Sequence, residues 1–460
     1  MSKSKTKRTQ RKTPVIKTPS PKTTEITTAD APANTSFSLS ALGVRLITAW
    51  QWLGQHKVQL IVFFAALVVL FFRRPDALMN AQFWAEDAKW FSEAVNSGNS
   101  LMNFFHPYAG YFTSVQRLIA FIADFFPLSL SPLIYNLCAL SVEALVLVYL
   151  WSDRVKFATK EMKVFLSFVL ICLPYSEEIH ANVTNAQWYL GMLVFLILFM
   201  DEPRHWLMKR IDNFLVLLGS LSGPFAIFLM PILIFDAIRK RRIPLNYYLI
   251  AFGAVVQVLC LHFTRPAAGD TNMGYSVTTF FQIIGGQVFG SGLFGYHSLS
   301  WFFHKPWIAP VVGLLGIQLL IYVLVKASWT LRYFIIFAAM LFAAALVSTL
   351  GTPPNMTWWY YFTTEAFGGR YYVMLHLAVF IALGWLVLTK VHVQLWLRAG
   401  AGIVLALAFL IGVPHDFEHR PYIDFTYKAY IRQYEQLKPG QSIAVPVNPG
   451  EFWHAGLTKR

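Results

Sequence analysis

Long apolar runs separated by short polar breaks fill the chain from residue 57 to residue 413. The run Leu60-Ile61-Val62-Phe63-Phe64-Ala65-Ala66-Leu67-Val68-Val69-Leu70 shows no apolar/polar alternation. A membrane β-barrel strand needs that alternation, so the helix is the spanning solution predicted here. The pattern predicts spanning helices over 57–73, 130–151, 161–176, 186–201, 211–223, 224–238, 244–263, 307–326, 331–350, 370–389 and 392–413, about eleven in all. Segments 211–223 and 224–238 are short, and Ser222-Gly223-Pro224 breaks the period between them. They form two short helices or one broken pair beside a cavity, since non-helical backbone at that depth needs protein or water around it. The fold class is all-α, a polytopic transmembrane helical bundle.

The polar breaks carry an orientation signal. Arg154, Lys156, Lys160 and Lys163 share one break, and Arg204, Lys209 and Arg210 the next. Arg239, Lys240, Arg241 and Arg242 follow, then Lys326 with Arg332, and Lys390 with Arg398. The breaks 177–186 and 351–369 hold no Lys or Arg. Basic loops stay cytoplasmic, which puts the N-terminus inside and 414–460 outside. Arg73 and Arg74 then fall on the outer side, where long side chains snorkel. Three outer regions result: 74–129, 264–306 and 414–460. Within the first, 113–128 enters and leaves on one side and reads as an interfacial helix. The organisation is a basic tail (1–56), a membrane domain (57–413) and a short extracytoplasmic segment (414–460), with no soluble catalytic domain.

Composition agrees: 56% of residues are hydrophobic and 13% charged, against about 25% charged in soluble domains. The net charge is +15, and residues 1–57 hold ten Lys and Arg against two Asp and Glu. That tail, rich in Lys, Thr, Pro and Ser, is expected to be disordered and drawn to anionic membrane lipids rather than to nucleic acid. Cys138, Cys172 and Cys260 lie in or beside apolar runs and read as core residues.

Chemistry-bearing residues collect in the outer regions. Glu86 and Asp87 follow the first helix among Trp84, Trp90 and Phe91. An acidic pair there serves proton transfer or cation binding, or simply complements a helix N-terminus. His106, Tyr108 and Tyr111, with Gln116 and Arg117, offer a sugar-lining loop and a phosphate-binding guanidinium, or an interfacial aromatic belt. Glu177, Glu178, His180, Asn185 and Gln187 form a polar loop able to hydrogen-bond a sugar or ligate a hard cation. Asn182-Val183-Thr184 also fits a glycosylation sequon. Arg370 and Tyr371 begin a late helix, where a permanent charge needs a phosphate or a carboxylate such as Glu365. His415 and His419 stand at metal-ligand spacing on a helix, inside an ordinary polar exit.

In order along the chain, several short motifs resemble the GT-C superfamily of membrane glycosyltransferases, and bacterial multi-pass members in particular. They are Glu86-Asp87, Pro107-Tyr108-Ala109-Gly110-Tyr111 leading to Arg117, and Asn182 to Trp188. Ser222-Gly223-Pro224-Phe225, Arg370-Tyr371-Tyr372 and Pro446-Val447-Asn448-Pro449 complete the set. The resemblance covers roughly 57–455. It implies a GT-C-type bundle in a bacterial cytoplasmic membrane, using a polyprenyl-phosphate-linked sugar and a glycan or lipid acceptor. It also implies Glu86 or Asp87 as general base, or as ligand of a divalent cation (Mg or Mn) where one is used. Many members add a large soluble C-terminal domain, which this chain does not match.

The expected chemistry has Asp87 as base with Glu86 as partner, and Arg370 and Arg117 on the leaving phosphate. Glu177, Glu178, His180, Asn185 and Gln187 would line the sugar or acceptor. The alternatives are a transporter or flippase of lipid-linked saccharide, which would place ionisable groups such as Glu143 mid-helix at work, and a surface polysaccharide polymerase.

Overall fold

Each apolar run is a helix in the computed structural model, which describes residues 57–265, 272–305, 307–348, 356–364, 368–450 and 452–460. The basic tail 1–56 lies outside the described residues. In chain order the main helices are α1 (Lys57–Arg73), α2 (Asp87–Ser97), α3 (Ser114–Ala123), α4 (Ser131–Leu150) and α5 (Lys160–Cys172). Next come α6 (Ala186–Phe199), α7 (Trp206–Ser220), α8 (Phe225–Lys240) and α9 (Leu245–Thr264). After these come α10 (Val277–Phe294), α11 (Ile308–Lys326), α12 (Trp329–Val347), α13 (Gly369–Leu388), α14 (Leu395–Asp416) and α15 (Tyr427–Gln436). Seven of the described helices, α4 (counted from Leu128), α9 to α13 and α14, are long and apolar enough to cross a membrane. The protein is a multi-pass helical membrane protein. It is not purely α: Ser442–Pro446 (β1) and His454–Thr458 (β2) pair antiparallel, with Val445 opposite Ala455.

Helix ends are set by local chemistry. Thr159 caps α5 through Met162 N–H, and Pro132 occupies the first turn of α4, where no N–H is needed. Gly98, left-handed at φ 65°, ends α2. The break at Ser222-Gly223-Pro224 separates α7 from α8, with Gly223 at φ 81°. Ser222 Oγ accepts from Val115 N–H, and Gly223 N–H donates to Phe112, so the break is tied to the first loop. It is the junction of two separate helices.

Helix ends sort onto two faces. On the basic face, Arg154 pairs with Asp212, and Asp236 accepts from Tyr247 (2.6 Å), Tyr333 (2.9 Å) and Arg239 (2.8 Å). Arg239 also reaches the Trp329 ring. These bonds gather the ends of α4, α7 to α9 and α12 at one level, and Arg154 Nε on the Asp201 carbonyl (2.8 Å) adds the end of α6. On the opposite face, Arg73 donates to Leu173 and Asp416 carbonyls and to Ser176 Oγ. Arg74 pairs with Glu177 at 3.2 Å and stacks over Tyr422. These two arginines do not snorkel; each is at most 1% exposed and roofed by carbonyls, a carboxylate and rings.

Region 264–306, placed outside by the Lys and Arg bias of the loops and given no spanning helix in the sequence, contains the apolar helix α10. Its flanks stay on one side. Asn272 and Met273 carbonyls accept from Trp358 and Trp359 N–H, just before α13, while Tyr296 N–H donates to Asp416 at the end of α14. α13 and α14 form an antiparallel hairpin across a short turn, so both partners sit at the same level. Gly285 against Ala309 and Gly316 against Phe289 let α10 lie close to α11.

The C-terminal segment is sewn onto the first loop. Tyr422 N–H donates to Asp76, and Asn96 bonds Gly456 O (2.8 Å) and Thr458 N–H (2.9 Å). Asn448 lies parallel to Trp84, with its N–H on Phe83 O (3.1 Å) and its carbonyl accepting from Ala85 N–H.

Candidate active site

The acidic pair is split by its backbone. Ala85 takes a left-handed φ of 45°, and the turn sends the two carboxylates different ways. Asp87 points inward and is fully buried. Its Oδ1 accepts from Thr184 N–H (2.7 Å) and Thr184 Oγ1–H (2.8 Å), and its Oδ2 from Trp84 N–H (3.2 Å). Burial pushes this carboxyl up to about 7, against those three bonds, which pull it down. Asp87 thus locks the first loop to the 177–185 loop and does not line a cavity.

Glu86 points outward to two cavities and lines both. Its Oε2 is buried with no hydrogen-bond partner in the protein, and its Oε1 is 4.0 Å from Arg370 Nη1. Arg370 also lines both cavities, stands 3.4 Å from Glu178 Oε1 and lies over the Tyr371 ring. Glu178 Oε2 accepts the Arg370 N–H at 2.9 Å, which joins the 177–185 loop to the start of α13. Glu365, the neighbour that the sequence offers Arg370, lies outside the described residues.

The smaller cavity, about 160 Å³, is walled by Trp90, Tyr108, Tyr111, Trp188 and Tyr371, with Gln116, Asn185 and Gln187 among them. Burial pushes the Tyr108 phenol up to about 12, so it keeps its proton at neutral pH. Buried polar atoms without a protein partner gather here: Trp90 Nε1, Thr113 Oγ1, Gln116 Oε1, Asn185 Oδ1, Gln187 Oε1 and Trp188 Nε1. Aromatic walls with unpaired hydrogen-bonding groups suit a sugar ring.

The larger cavity, about 650 Å³, opens on the other side of Glu86. Glu177, Glu178, Tyr296, His297, His415 and Arg420 line it, and Trp453 and Pro449 of the C-terminal segment form one edge. Glu177 is held by Arg74 and by Arg420, whose Nε is 3.1 Å from both of its oxygens.

Of the residues marked in the sequence, Glu86, Tyr108, Tyr111, Asn185, Gln187, Arg370 and Tyr371 meet at the smaller cavity, and Glu177 and Glu178 at the larger. Four do not join them. Asp87 is the buried lock. Arg117 is 2% exposed, bonded to Glu93 and the His106 carbonyl and stacked over Trp90, so its guanidinium is already used. His106 is exposed and lines neither cavity. His180 is buried against Glu143 at 3.0 Å, and burial holds it below the usual imidazole range despite that carboxylate. The sequon residue Asn182 is fully buried with its amide bonded to Glu178 and His180 carbonyls, closed to modification.

Gln116 and Trp188, named in the sequence only as members of their motifs, also line the smaller cavity; their place in amphipathic or apolar helix sequence gave neither a role of its own. Asn448 had only its place in a Pro-Val-Asn-Pro run as a signal. Its side chain grips Ile423 N–H (2.8 Å) and carbonyl (3.1 Å) while its backbone holds Phe83 and Ala85.

Among the described residues no three His, Cys, Asp or Glu side chains are grouped to hold a metal ion. Both Asp87 oxygens already face N–H and O–H donors, and His419 is buried beside His180. Asp87 and His419 are thereby closed to a divalent cation.

No protein family, no characterised protein and no solved structure matches the chain.

Proposed function

We propose that this chain is a GT-C-type membrane glycosyltransferase, moving a sugar from a polyprenyl-phosphate donor to a cell-surface glycan or lipid acceptor. One observation carries the reading: the unpartnered buried oxygen of Glu86 stands between an aromatic, amide-lined cavity and a larger polar one, with Arg370 beside it. The smaller cavity suits the donor sugar and the larger the acceptor.

In the proposed reaction Glu86 takes the proton of an acceptor hydroxyl as that oxygen bonds to the anomeric carbon. The bond from the anomeric carbon to the phosphate oxygen breaks, and its electron pair leaves with the phosphate. Arg370 meets the charge that grows there. Asp87 acts as a positioning residue through Thr184 and Trp84, in place of the base role the sequence motif assigns it.

In this reading the helices that run between the two faces, α1, α4 to α9 and α11 to α14, are about eleven spans. Lys and Arg concentrate on the face away from Glu86, which makes that face cytoplasmic. The site then lies at the outer surface of a bacterial cytoplasmic membrane. A carrier would need a working mid-helix acid; Glu143 is instead closed by His180 and by Ala181 N–H at 2.8 Å.

The test is mass spectrometry of surface glycans and polyprenyl-phosphate sugars from cells with and without the chain. Loss of one glycan substituent with build-up of its lipid-linked donor is expected. Identical profiles would overturn the proposal.

A further inference from the structure

We infer that the smaller cavity admits a donor sugar ring presenting hydroxyl groups and rejects one that carries, besides its anomeric phosphate, a carboxylate or sulfate on the ring; this rests on the transferase reading. Three oxygens set the selection. Gln116 Nε2 donates to Thr184 O at 3.2 Å, and Asn185 Nδ2 to Glu178 O at 2.8 Å. Those bonds fix both amides, because only the nitrogen can donate to a carbonyl. Their oxygens, Gln116 Oε1 and Asn185 Oδ1, are therefore the ends left without a protein partner, alongside Glu86 Oε2.

These three groups can only accept. The unpartnered buried groups there that can only donate are the indole nitrogens of Trp90 and Trp188. A buried acceptor without a donor is unfavourable, so the cavity is completed by a ligand bringing O–H groups. A ring carboxylate brings two more acceptor-only oxygens and a charge beside Glu86. Arg370 is the one cation among the described lining residues. It sits at the wall shared with the larger cavity and already faces Glu178 and Glu86, leaving a substituent on the Gln116 and Asn185 side without a counter-ion. Burial of an unpaired charge is the outcome such a site avoids.

The experiment uses the full chain in lipid nanodiscs and follows the ligand-induced change in tryptophan emission, to which Trp90 and Trp188 contribute among the 15 tryptophans of the chain and which their Phe variants assign to the cavity. The probes are farnesyl-phosphate-linked glucose, galactose, mannose and N-acetylglucosamine, with the glucuronic and galacturonic acid counterparts. At least one neutral probe is expected to bind, and the acidic probes to bind about 100-fold more weakly than it. An acidic probe binding within about tenfold of the best neutral one, or no neutral probe binding, overturns the inference. Selective binding with no glycan change in cells leaves the inference standing and removes the transferase reading. Unselective binding with such a change does the reverse.

Discussion

Glu86 and Arg370 face one another across the wall between the two cavities, Oε1 to Nη1 at 4.0 Å, although 283 positions separate them in the chain. The carboxylate keeps one oxygen free while the guanidinium is steadied by Glu178. Replacing Arg370 by Lys keeps the charge and loses the fork. Transfer is expected to fall about 100-fold. The Arg370 backbone bond to Glu178 survives, so the melting temperature should stay near that of wild type. Rates measured on purified protein, with a melting curve for each variant, check both statements.

Asp87 gives the protein a pH signature. Folded, burial keeps its proton up to about 7; unfolded, it releases near 4, about the ordinary aspartate value. Between those limits the folded state binds more protons, so stability is fully present below about pH 4 and declines as pH rises to about 7. The Asp87→Asn variant should lose that slope. Its amide keeps one accepting oxygen and turns an N–H₂ toward either Thr184 or Trp84, which should also cost about 1–3 kcal/mol of stability. Thermal unfolding in detergent across this range reads both effects.

The helices were legible because an apolar run long enough to cross lipid has few other ways to satisfy its backbone; the run that ends at 73 in the sequence ends α1 at Arg73. α10 was missed because its glycines interrupt the apolar run, whereas Gly285, Gly290 and Gly292 serve close packing against α11, Phe302 and α13. The site was half legible. Residue types named the right loops, yet a left-handed Ala85 decides which acid of the pair faces the cavities, and no spacing rule reveals that. Partner choice was not legible either: Arg117 finds Glu93, and Arg370 finds Glu178, through tertiary contacts.

Arg117 is a tie within the first loop and not a phosphate ligand. Arg117→Ala should lower stability by about 1.5–3 kcal/mol, the worth of hydrogen bonds to a charged group. Donor binding, measured where the variant is still folded, should change less than about threefold. A large loss of binding in a protein that melts normally would return Arg117 to the site.

Asn448 reaches the reaction only through backbone. Asn448→Ala frees Ile423 N–H and carbonyl and loosens the strand that holds Phe83 and Ala85. The turnover rate should fall about tenfold with little change in KM for the donor, since the sugar cavity is untouched and Glu86 is misplaced. A higher KM with unchanged turnover would make Asn448 a binding residue instead.

The most direct measurement compares Glu86→Gln with wild type in cells and as purified protein. Glutamine keeps the shape and cannot take a proton. The expected result is a protein that melts like wild type, loses transfer by about 100-fold or more, and lets the polyprenyl-phosphate sugar accumulate. Wild-type transfer by a folded Glu86→Gln protein would contradict the assignment of Glu86 as the base.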